Sequence, residues 1–283
     1  MQPLNCTHCL TPAQSRALEP LLERLSPMQP GVIAVSGGLD SRFLAHIAAA
    51  HGLDFLALLF STPLTSESEQ RAAEDTLQRL GLPFIKAPLN PLHCKEVAEN
   101  RIERCYHCKR LLFSQAAQMA ADRKRDYVLE GTQADDLKEH RPGVKALREL
   151  SIQSPLADTG LGKADIRELS RSLGIPHPDQ PSRPCLLTRF AYGCSPTRDE
   201  LARVGSAEED LRRLGLESFR IRILPDKSPC LQIASPAASL EQGLKESIAA
   251  ILGAYSLWPS RFIHTDTLSG FFDGQCRSLS REP

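Results

Sequence analysis

The segment Ser36-Gly37-Gly38-Leu39-Asp40-Ser41 carries the sharpest chemical signal in the chain. It follows a short apolar run, Gly31-Val32-Ile33-Ala34-Val35, and precedes a stretch that reads as a helix. Two glycines in that position let successive backbone N–H groups turn toward one point, and a helix N-terminus adds partial positive charge there. The turn therefore suits an anion such as pyrophosphate, with Ser36 and Ser41 as hydroxyl donors and Asp40 beside them. The spacing is neither G-x-G-x-x-G nor G-x-x-x-x-G-K-[ST], which disfavours a Rossmann dinucleotide site and a Walker ATPase. An ordinary glycine turn capped by Asp40 or Ser41 is the plain alternative, although a bare turn has no need of two serines and an Asp around its glycine pair.

Cysteine is the second signal. The chain has nine, at positions 6, 9, 94, 105, 108, 185, 194, 230 and 276. That is many for a reducing compartment, and an odd number cannot pair off, so some of these thiols do chemistry or hold metal. Cys105 and Cys108 are spaced to share one face of a helix's first turn, where the helix dipole favours thiolate. C-x-x-C alone fits a redox pair, half a zinc site or part of an iron–sulfur site. Cys185 is the third thiol of interest. It lies in a run broken by Pro176, Pro178, Pro181 and Pro184, which enforces an extended loop. Cys6-Thr7-His8-Cys9 has no second C-x-x-C to complete a zinc site and reads as a tail, while Cys94, Cys194, Cys230 and Cys276 have no ligand spacing and His107 reads as a helix-surface residue.

Carboxylates are the third. Glu130-Gly131-Thr132-Gln133-Ala134-Asp135-Asp136 follows a predicted strand directly, so Glu130 and Asp135 join Asp40 as candidates to hold Mg²⁺ against ATP phosphates, solvated loop acids being the alternative. Lys163 and Arg189 are candidates to balance phosphate or acyl-phosphate charge. Arg189 ranks higher because it closely follows Cys185.

Positioning these groups requires alternating strands and helices. Strands are expected at 31–35, 55–60, 83–87 and 127–130, and helices at 42–50, 66–80, 103–121 and 163–173, with Gly52, Gly81 and Gly174 as stops. Such alternation implies a doubly wound parallel sheet with helices on both faces. In that arrangement the SGGLDS turn and the Cys185 loop both return to the carboxyl edge of the strands. Beyond Gly193 the pattern changes to a helix at 197–214, strands at 219–224, 231–234 and 261–267, and a helix at 240–252, a smaller α/β domain. The expected division is a tail at 1–14, a nucleotide-binding domain at 15–193 and the smaller domain at 194–283. At 283 residues two domains are the default, since about 150 residues make one.

Composition excludes some partners. Formal charge is zero and the pI is near 7.1, so no global basic field favours a large RNA. No apolar run approaches the roughly 18 residues that span a bilayer, and a cytosolic protein is expected.

The SGGLDS turn resembles the signature of the PP-loop ATP pyrophosphatases, which activate a substrate by adenylylation and release pyrophosphate. Arg104-Cys105-Tyr106-His107-Cys108-Lys109-Arg110, the Glu130–Asp136 segment, Arg141-Pro142-Gly143, Ser154-Pro155-Leu156 and Pro184-Cys185-Leu186-Leu187-Thr188-Arg189-Phe190-Ala191-Tyr192-Gly193 stand in the order and approximate spacing of the LarE family. Those are ATP-dependent sulfur transferases that supply sulfur for the nickel-pincer nucleotide cofactor of lactate racemase. The resemblance covers residues 15–195 and is weaker beyond.

It implies ATP and Mg²⁺ at Ser36, Gly37, Gly38, Asp40 and Ser41, and a small-molecule carboxylate acceptor, a pyridinium nucleotide precursor in the family. It also implies Cys185 as the sulfur-bearing residue. In some LarE proteins the matching cysteine gives up its sulfur and becomes dehydroalanine. Members with the C-x-x-C pair are thought to hold a [4Fe–4S] cluster on three thiols, here Cys105, Cys108 and Cys185, and to keep one iron open for sulfide. The chain departs from the family in its second domain: around Arg220, Arg222 and Asp226, Leu224-Pro225 replaces a His-Gly pair and Gln232 an acid. A tRNA-thiolating PP-loop enzyme, a PP-loop amide ligase and a binding module without turnover are the alternatives, and a homo-oligomer stays open.

Overall fold

The computed structural model describes residues 10–138, 142–234, 241–258 and 261–273; Arg141, Cys276 and the Cys6/Cys9 tail motif lie outside them. The chain divides into two compact units. One comprises the chain through Thr62 with Glu67–Pro91 and Cys105–Ser182; the other comprises Pro63–Ser66, Leu92–Arg104 and the chain from Arg183.

The first unit is built on four parallel strands, β1 (Gly31–Ala34), β2 (Phe55–Ser61), β3 (Phe84–Pro88) and β4 (Tyr127–Leu129), in the order β3-β2-β1-β4. Gly31 stands opposite Phe55 on one side and Tyr127 on the other. A single parallel bridge from Leu129 to Gln153 extends the sheet beyond β4. Side chains alternate across a strand, and here both faces are covered, as parallel sheets require. Ile33, Phe55, Ala57 and Leu129 pack into one core with α1 (Pro12–Leu25), α2 (Leu39–Ala50), α3 (Glu67–Leu80) and α8 (Lys163–Ser172). Val32, Leu58, Ala87 and Val128 pack into another with α5 (Arg104–Ala121) and α6 (Pro142–Glu149). The strand order reverses direction between β1 and β4. Ligands of open α/β sheets bind beyond the strand ends at such a switch point.

The second unit carries a sheet of β5 (Phe219–Ile223), β6 (Pro229–Ile233) and β7 (Phe262–His264), antiparallel between the first two and parallel between the last. The helices α9 (Arg198–Arg213) and α10 (Gln242–Ala254) accompany it. Thr197 caps α9: its hydroxyl accepts from the Glu200 N–H while the Glu200 carboxylate accepts from the Thr197 N–H.

Four helices were not expected, among them the single turn α4 (Lys95–Ala98). The start of α1 has its own capping box at Thr11 and Gln14, with Pro12 at the first helical position. α6 and α7 (Pro155–Asp158) each open on a proline, inside motifs for which no element is expected from the sequence. The expected helix at 42–50 starts earlier, at Leu39, because Gly38 serves as its N-cap. The last strand is short, Phe262–His264 rather than 261–267.

Candidate active site

Between β1 and α2 the chain makes the tight turn that its glycine pair allows. Gly37 sits at φ +85°, a region L side chains avoid, and a Cβ there would lie 3.2 Å from the Glu69 carbonyl oxygen of α3. The two serines knit the turn together. Ser41 Oγ accepts from the Ser36 N–H at 3.2 Å, lies 3.2 Å from Ser36 Oγ and donates to the Gly38 carbonyl at 3.1 Å. The serine hydroxyls thus shape the loop. Asp40 occupies the first turn of α2, directly behind the glycines.

Gly131, just after β4, fixes how closely the neighbouring loop approaches. A Cβ there would meet Ser41 N at 2.8 Å, Ser41 Cα at 3.0 Å and the Asp40 carbonyl carbon at 3.1 Å, all backbone. Only glycine lets the β4 loop lie against the start of α2.

Glu130, the last residue before that contact, is 7% exposed and its carboxylate is already engaged. Oε1 accepts from the Thr132 N–H at 2.9 Å and from Ser154 Oγ at 2.7 Å, and Oε2 from Thr132 Oγ1 at 2.8 Å. Lys109 Nζ stands 3.5 Å from Oε2. Gly143 makes room for that lysine, since a Cβ on it would lie 2.8 Å from Lys109 Cδ. Lys109 was not singled out in the sequence, yet it ends in the same place as Glu130; its signal was its position one residue after the C-x-x-C pair. Asp135 spends its oxygens on Lys138 Nζ at 2.7 Å and on the Lys163 N–H at 2.9 Å, at the start of α8. The Lys138 contact and the Lys163 hydrogen bond hold the Asp135 carboxyl below the usual carboxylate range. Lys163 therefore enters through its backbone.

Cys105 and Cys108 lie in the opening turn of α5, Cys105 exposed and Cys108 half-buried, both as thiols. They are three residues apart on one helix face.

In the second unit Cys185 is a half-buried thiol at the N-cap of a short 3-10 helix, Leu186–Arg189. Several backbone groups around it are held. Thr188 donates to the Cys185 carbonyl from its N–H at 3.0 Å and from Oγ1 at 2.8 Å. Leu186 N–H donates to the Leu64 carbonyl at 2.9 Å. Asn100, fully buried at φ +47°, donates through Nδ2 to the carbonyls of Leu187, Phe190 and Ala191 at 3.2, 3.0 and 2.9 Å.

Arg189 is 2% exposed and pairs in fork fashion with Glu208, Nε to Oε1 at 2.9 Å and Nη2 to Oε2 at 2.8 Å, while Nη1 donates to the Pro184 carbonyl at 2.9 Å. Glu208 is wholly buried. Burial alone would push its carboxyl up, but Arg189, then Arg212 and the Ile221 N–H, prevail and hold it below the usual range. Arg222 donates to the Thr188 carbonyl at 2.5 Å and to Gln232 Oε1 at 2.8 Å, and burial with nearby Arg220 and Arg189 lowers its pKa to about 9, still charged at neutral pH. Gln232 passes the contact on, donating to Thr265 Oγ1 and the Thr267 carbonyl. Asp226 sits apart from this cluster, in the exposed β5–β6 turn, where Ser228 donates to it from its hydroxyl and its N–H.

No family model matches the chain. Three relatives place it. An uncharacterized protein of Synechocystis is 31% identical over 260 residues, which cover 91% of this chain and 96% of that one. The pyridinium-3,5-bisthiocarboxylic acid mononucleotide synthase of Lactiplantibacillus plantarum is 29% identical over 212 residues, 73% of this chain and 75% of the synthase. A probable tRNA sulfurtransferase of Moorella thermoacetica is 27% identical over 194 residues, 64% of this chain and 49% of that one.

The chain is a LarE-like member of the PP-loop family. This family of sulfur-transfer enzymes accounts for the motif order noted in the sequence, from the SGGLDS turn to the Cys185 loop. The mixed α/β architecture with its parallel four-stranded sheet is compatible with a PP-loop fold. Among the described residues no helix is long and apolar enough to cross a membrane.

Proposed function

We propose that this LarE-like chain is an ATP-dependent sulfur transferase that adenylylates the carboxylate of a small pyridinium-type nucleotide and replaces one carboxylate oxygen with sulfur. The observation that carries the reading is the SGGLDS turn: a positive-φ glycine and a glycine N-cap at a helix start, set at the switch point of a parallel sheet. Backbone N–H groups at such a helix start receive phosphate oxygens.

The acceptor carboxylate attacks the α-phosphorus of ATP, the bond to the β-phosphate bridging oxygen breaks, and pyrophosphate leaves an acyl-adenylate. Positioning and charge neutralisation govern such displacements. Mg²⁺ would supply part of that neutralisation. Asp40, in the first turn of α2 beside the glycine pair, is the carboxylate we assign to it. Lys109, held beside Glu130, adds a cation for the departing pyrophosphate.

Sulfur then displaces AMP from the acyl carbon. When Cys185 is the donor, its Sγ forms a thioester; loss of the Cα proton and cleavage of the Cβ–S bond leave a thiocarboxylate and dehydroalanine. The donor set also fits a [4Fe–4S] cluster in kind, since Cys105, Cys108 and Cys185 are all thiols with at least partial exposure. Those three residues would hold it, and inorganic sulfide bound there would be the sulfur source, leaving Cys185 intact. Either way Asn100, Thr188 and Arg189 hold the Cys185 loop in one conformation.

The relative named as a tRNA sulfurtransferase keeps a tRNA acceptor as the second reading, against which the zero net charge of this chain weighs. The test is pyrophosphate release measured with a pyridine-carboxylate mononucleotide, nicotinic acid or unmodified tRNA as acceptor. Release with the mononucleotide is expected; release with tRNA alone would favour the second reading.

A further inference from the structure

Arg42 is an unusual residue to find under a phosphate-binding turn. It is 5% exposed, follows directly on the SGGLDS segment, and spends its guanidinium on backbone carbonyls of two separate stretches of chain. Nε donates to the Gly37 carbonyl at 3.1 Å, and Nη1 donates to the Pro176 carbonyl at 2.9 Å. Its own N–H makes the first bond of α2, to the Gly38 carbonyl at 3.1 Å.

The Gly37 carbonyl and the Gly38 N–H belong to one peptide unit. A trans peptide is planar, with its C=O and N–H pointing in opposite directions. A guanidinium that draws the carbonyl inward therefore turns the N–H to the other side, where it makes a long hydrogen bond to Ser36 Oγ at 3.4 Å that a phosphate oxygen could replace, and Gly38 itself is exposed. Because Gly37 is at φ +85° and a glycine has little intrinsic preference, the peptide needs an external hold to keep that orientation. Arg42 supplies it. The guanidinium fork can span two carbonyls at fixed spacing, whereas a lysine ammonium is a point donor on a flexible stem. Pro176 opens the proline-rich segment that continues through Pro178, Pro181 and Pro184 to Cys185, so the same side chain ties the turn to the start of the strap that ends at the sulfur-bearing residue.

We propose that Arg42 is a positioning residue for nucleotide binding, orienting the Gly37–Gly38 peptide so that the Gly38 N–H meets phosphate, and anchoring the Pro176 segment to that turn. This rests on the reading that the turn receives ATP. The experiment compares full-length wild type with Arg42→Ala, Arg42→Lys and Arg42→Gln for Mg·ATP affinity by calorimetry and for KM and kcat in pyrophosphate release, with thermal melting in the absence of ATP as the folding control.

Arg42→Ala should raise the Kd and the KM for ATP by at least about tenfold, since one charge-assisted hydrogen bond is at stake. kcat at saturating ATP should stay within about twofold, because Arg42 touches no reacting atom. Millimolar methylguanidinium should restore ATP affinity to Arg42→Ala and leave wild type unchanged. Arg42→Lys should recover little, and ATP should slow protease cleavage within 176–184 in wild type alone. An Arg42→Ala or Arg42→Gln protein that melts like wild type and binds ATP equally well would overturn the proposal. So would a loss confined to kcat. Should Arg42→Ala fail to fold, Arg42→Gln, which keeps one donor, carries the same comparison. A wild type that does not bind Mg·ATP would instead overturn the functional reading beneath it.

Discussion

Thr188 holds Cys185 by its carbonyl twice over, from its N–H at 3.0 Å and from Oγ1 at 2.8 Å. The same hydroxyl accepts from Arg189 Nη1 at 2.9 Å, so the residue that flanks the thiol is joined to the buried Arg189–Glu208 pair through one oxygen. A thiol that must reach an acyl carbon gains from a backbone that does not wander, because a small displacement of the reacting group costs orders of magnitude in rate. Thr188→Val keeps the shape and removes the hydroxyl. It should destabilise the fold by about 2–3 kcal/mol, the net worth of the two hydrogen bonds the hydroxyl makes, one of them to a charged group. It should lower the rate of thiocarboxylate formation while pyrophosphate release with the acceptor stays near wild type. Single-turnover chromatography of the acyl-adenylate and the thiocarboxylate separates the two steps.

Asn100 makes a stronger version of the same demand. It is buried, at φ +47°, with three carbonyls on one amide nitrogen. Asn100→Ala leaves those carbonyls short of a donor and puts a methyl side chain at a positive φ. A loss of about 2–4 kcal/mol is expected in urea melts, from unmet buried acceptors and backbone strain together. Asn100→Gly relieves only the strain and should fall between the two.

Glu208 ties Arg189, Arg212 and the Ile221 N–H together with no exposure of its own. Glu208→Gln leaves buried guanidinium groups facing a neutral amide, and about 3–5 kcal/mol should be lost, as for one-sided removal of a buried pair. The pH dependence has a definite sign. With the folded carboxyl held below the usual 4.5, the unfolded chain takes up its proton first on acidification. The stability that Glu208 contributes is full above about 4.5 and declines as pH falls from there through the folded value. Chemical denaturation at pH 6, 5 and 4 should show that decline in wild type, and a shallower one in Glu208→Gln.

His46 acts in the opposite chemical sense at a milder pH. It is 7% exposed in α2, its Nε2 has no hydrogen-bond partner among the described residues, and burial lowers its pKa below 6.5. The folded state therefore resists protonation, and stability from this group, complete above 6.5, is lost as pH drops below it, by up to about 1.4 kcal/mol for each pH unit until the folded value is reached. His46→Leu should flatten the profile between pH 6.5 and 5.

Gly131→Ala tests the close approach of the β4 loop to α2. The added carbon would meet Ser41 and Asp40 backbone at 2.8 to 3.1 Å, so α2 or the loop must shift. Overpacking of this kind costs about 1–3 kcal/mol. Mg·ATP affinity should fall with it, whereas Gly215→Ala, where a Cβ meets nothing, should leave affinity unchanged despite its own backbone strain at φ +98°.

Much of this was legible in the residues. The apolar runs of β1 and β2 and the glycine stops after α2 and α3 gave the parallel sheet, because strands buried on both faces have no polar positions to confuse their reading. The SGGLDS turn announced itself through chemistry that a plain turn does not need. α6 was hidden because its apolar positions are few and its start, Pro142-Gly143, reads as a turn. The position of Lys109 was illegible for a different reason: Glu130, Gly143 and Lys109 are far apart in sequence and converge only through the packing of α5 and α6 on the sheet. Arg189, read as a counter-charge for substrate, is instead occupied by Glu208 and Pro184, a pairing whose partner lies on α9. Long-range partners of this sort leave no local trace.

In the proposed reaction sulfur must reach a carboxylate that ATP has activated. The direct measurement is mass spectrometry of the small-molecule product and of the intact protein after one anaerobic turnover with Mg·ATP and a pyridine-carboxylate mononucleotide. A product in which sulfur has replaced one oxygen is expected, with one pyrophosphate per sulfur inserted and none of either in Asp40→Asn. The protein should either lose the elements of H₂S at Cys185 or keep its mass while carrying iron. A product of unchanged mass, or one that gains sulfur without pyrophosphate release, would contradict the proposed reaction.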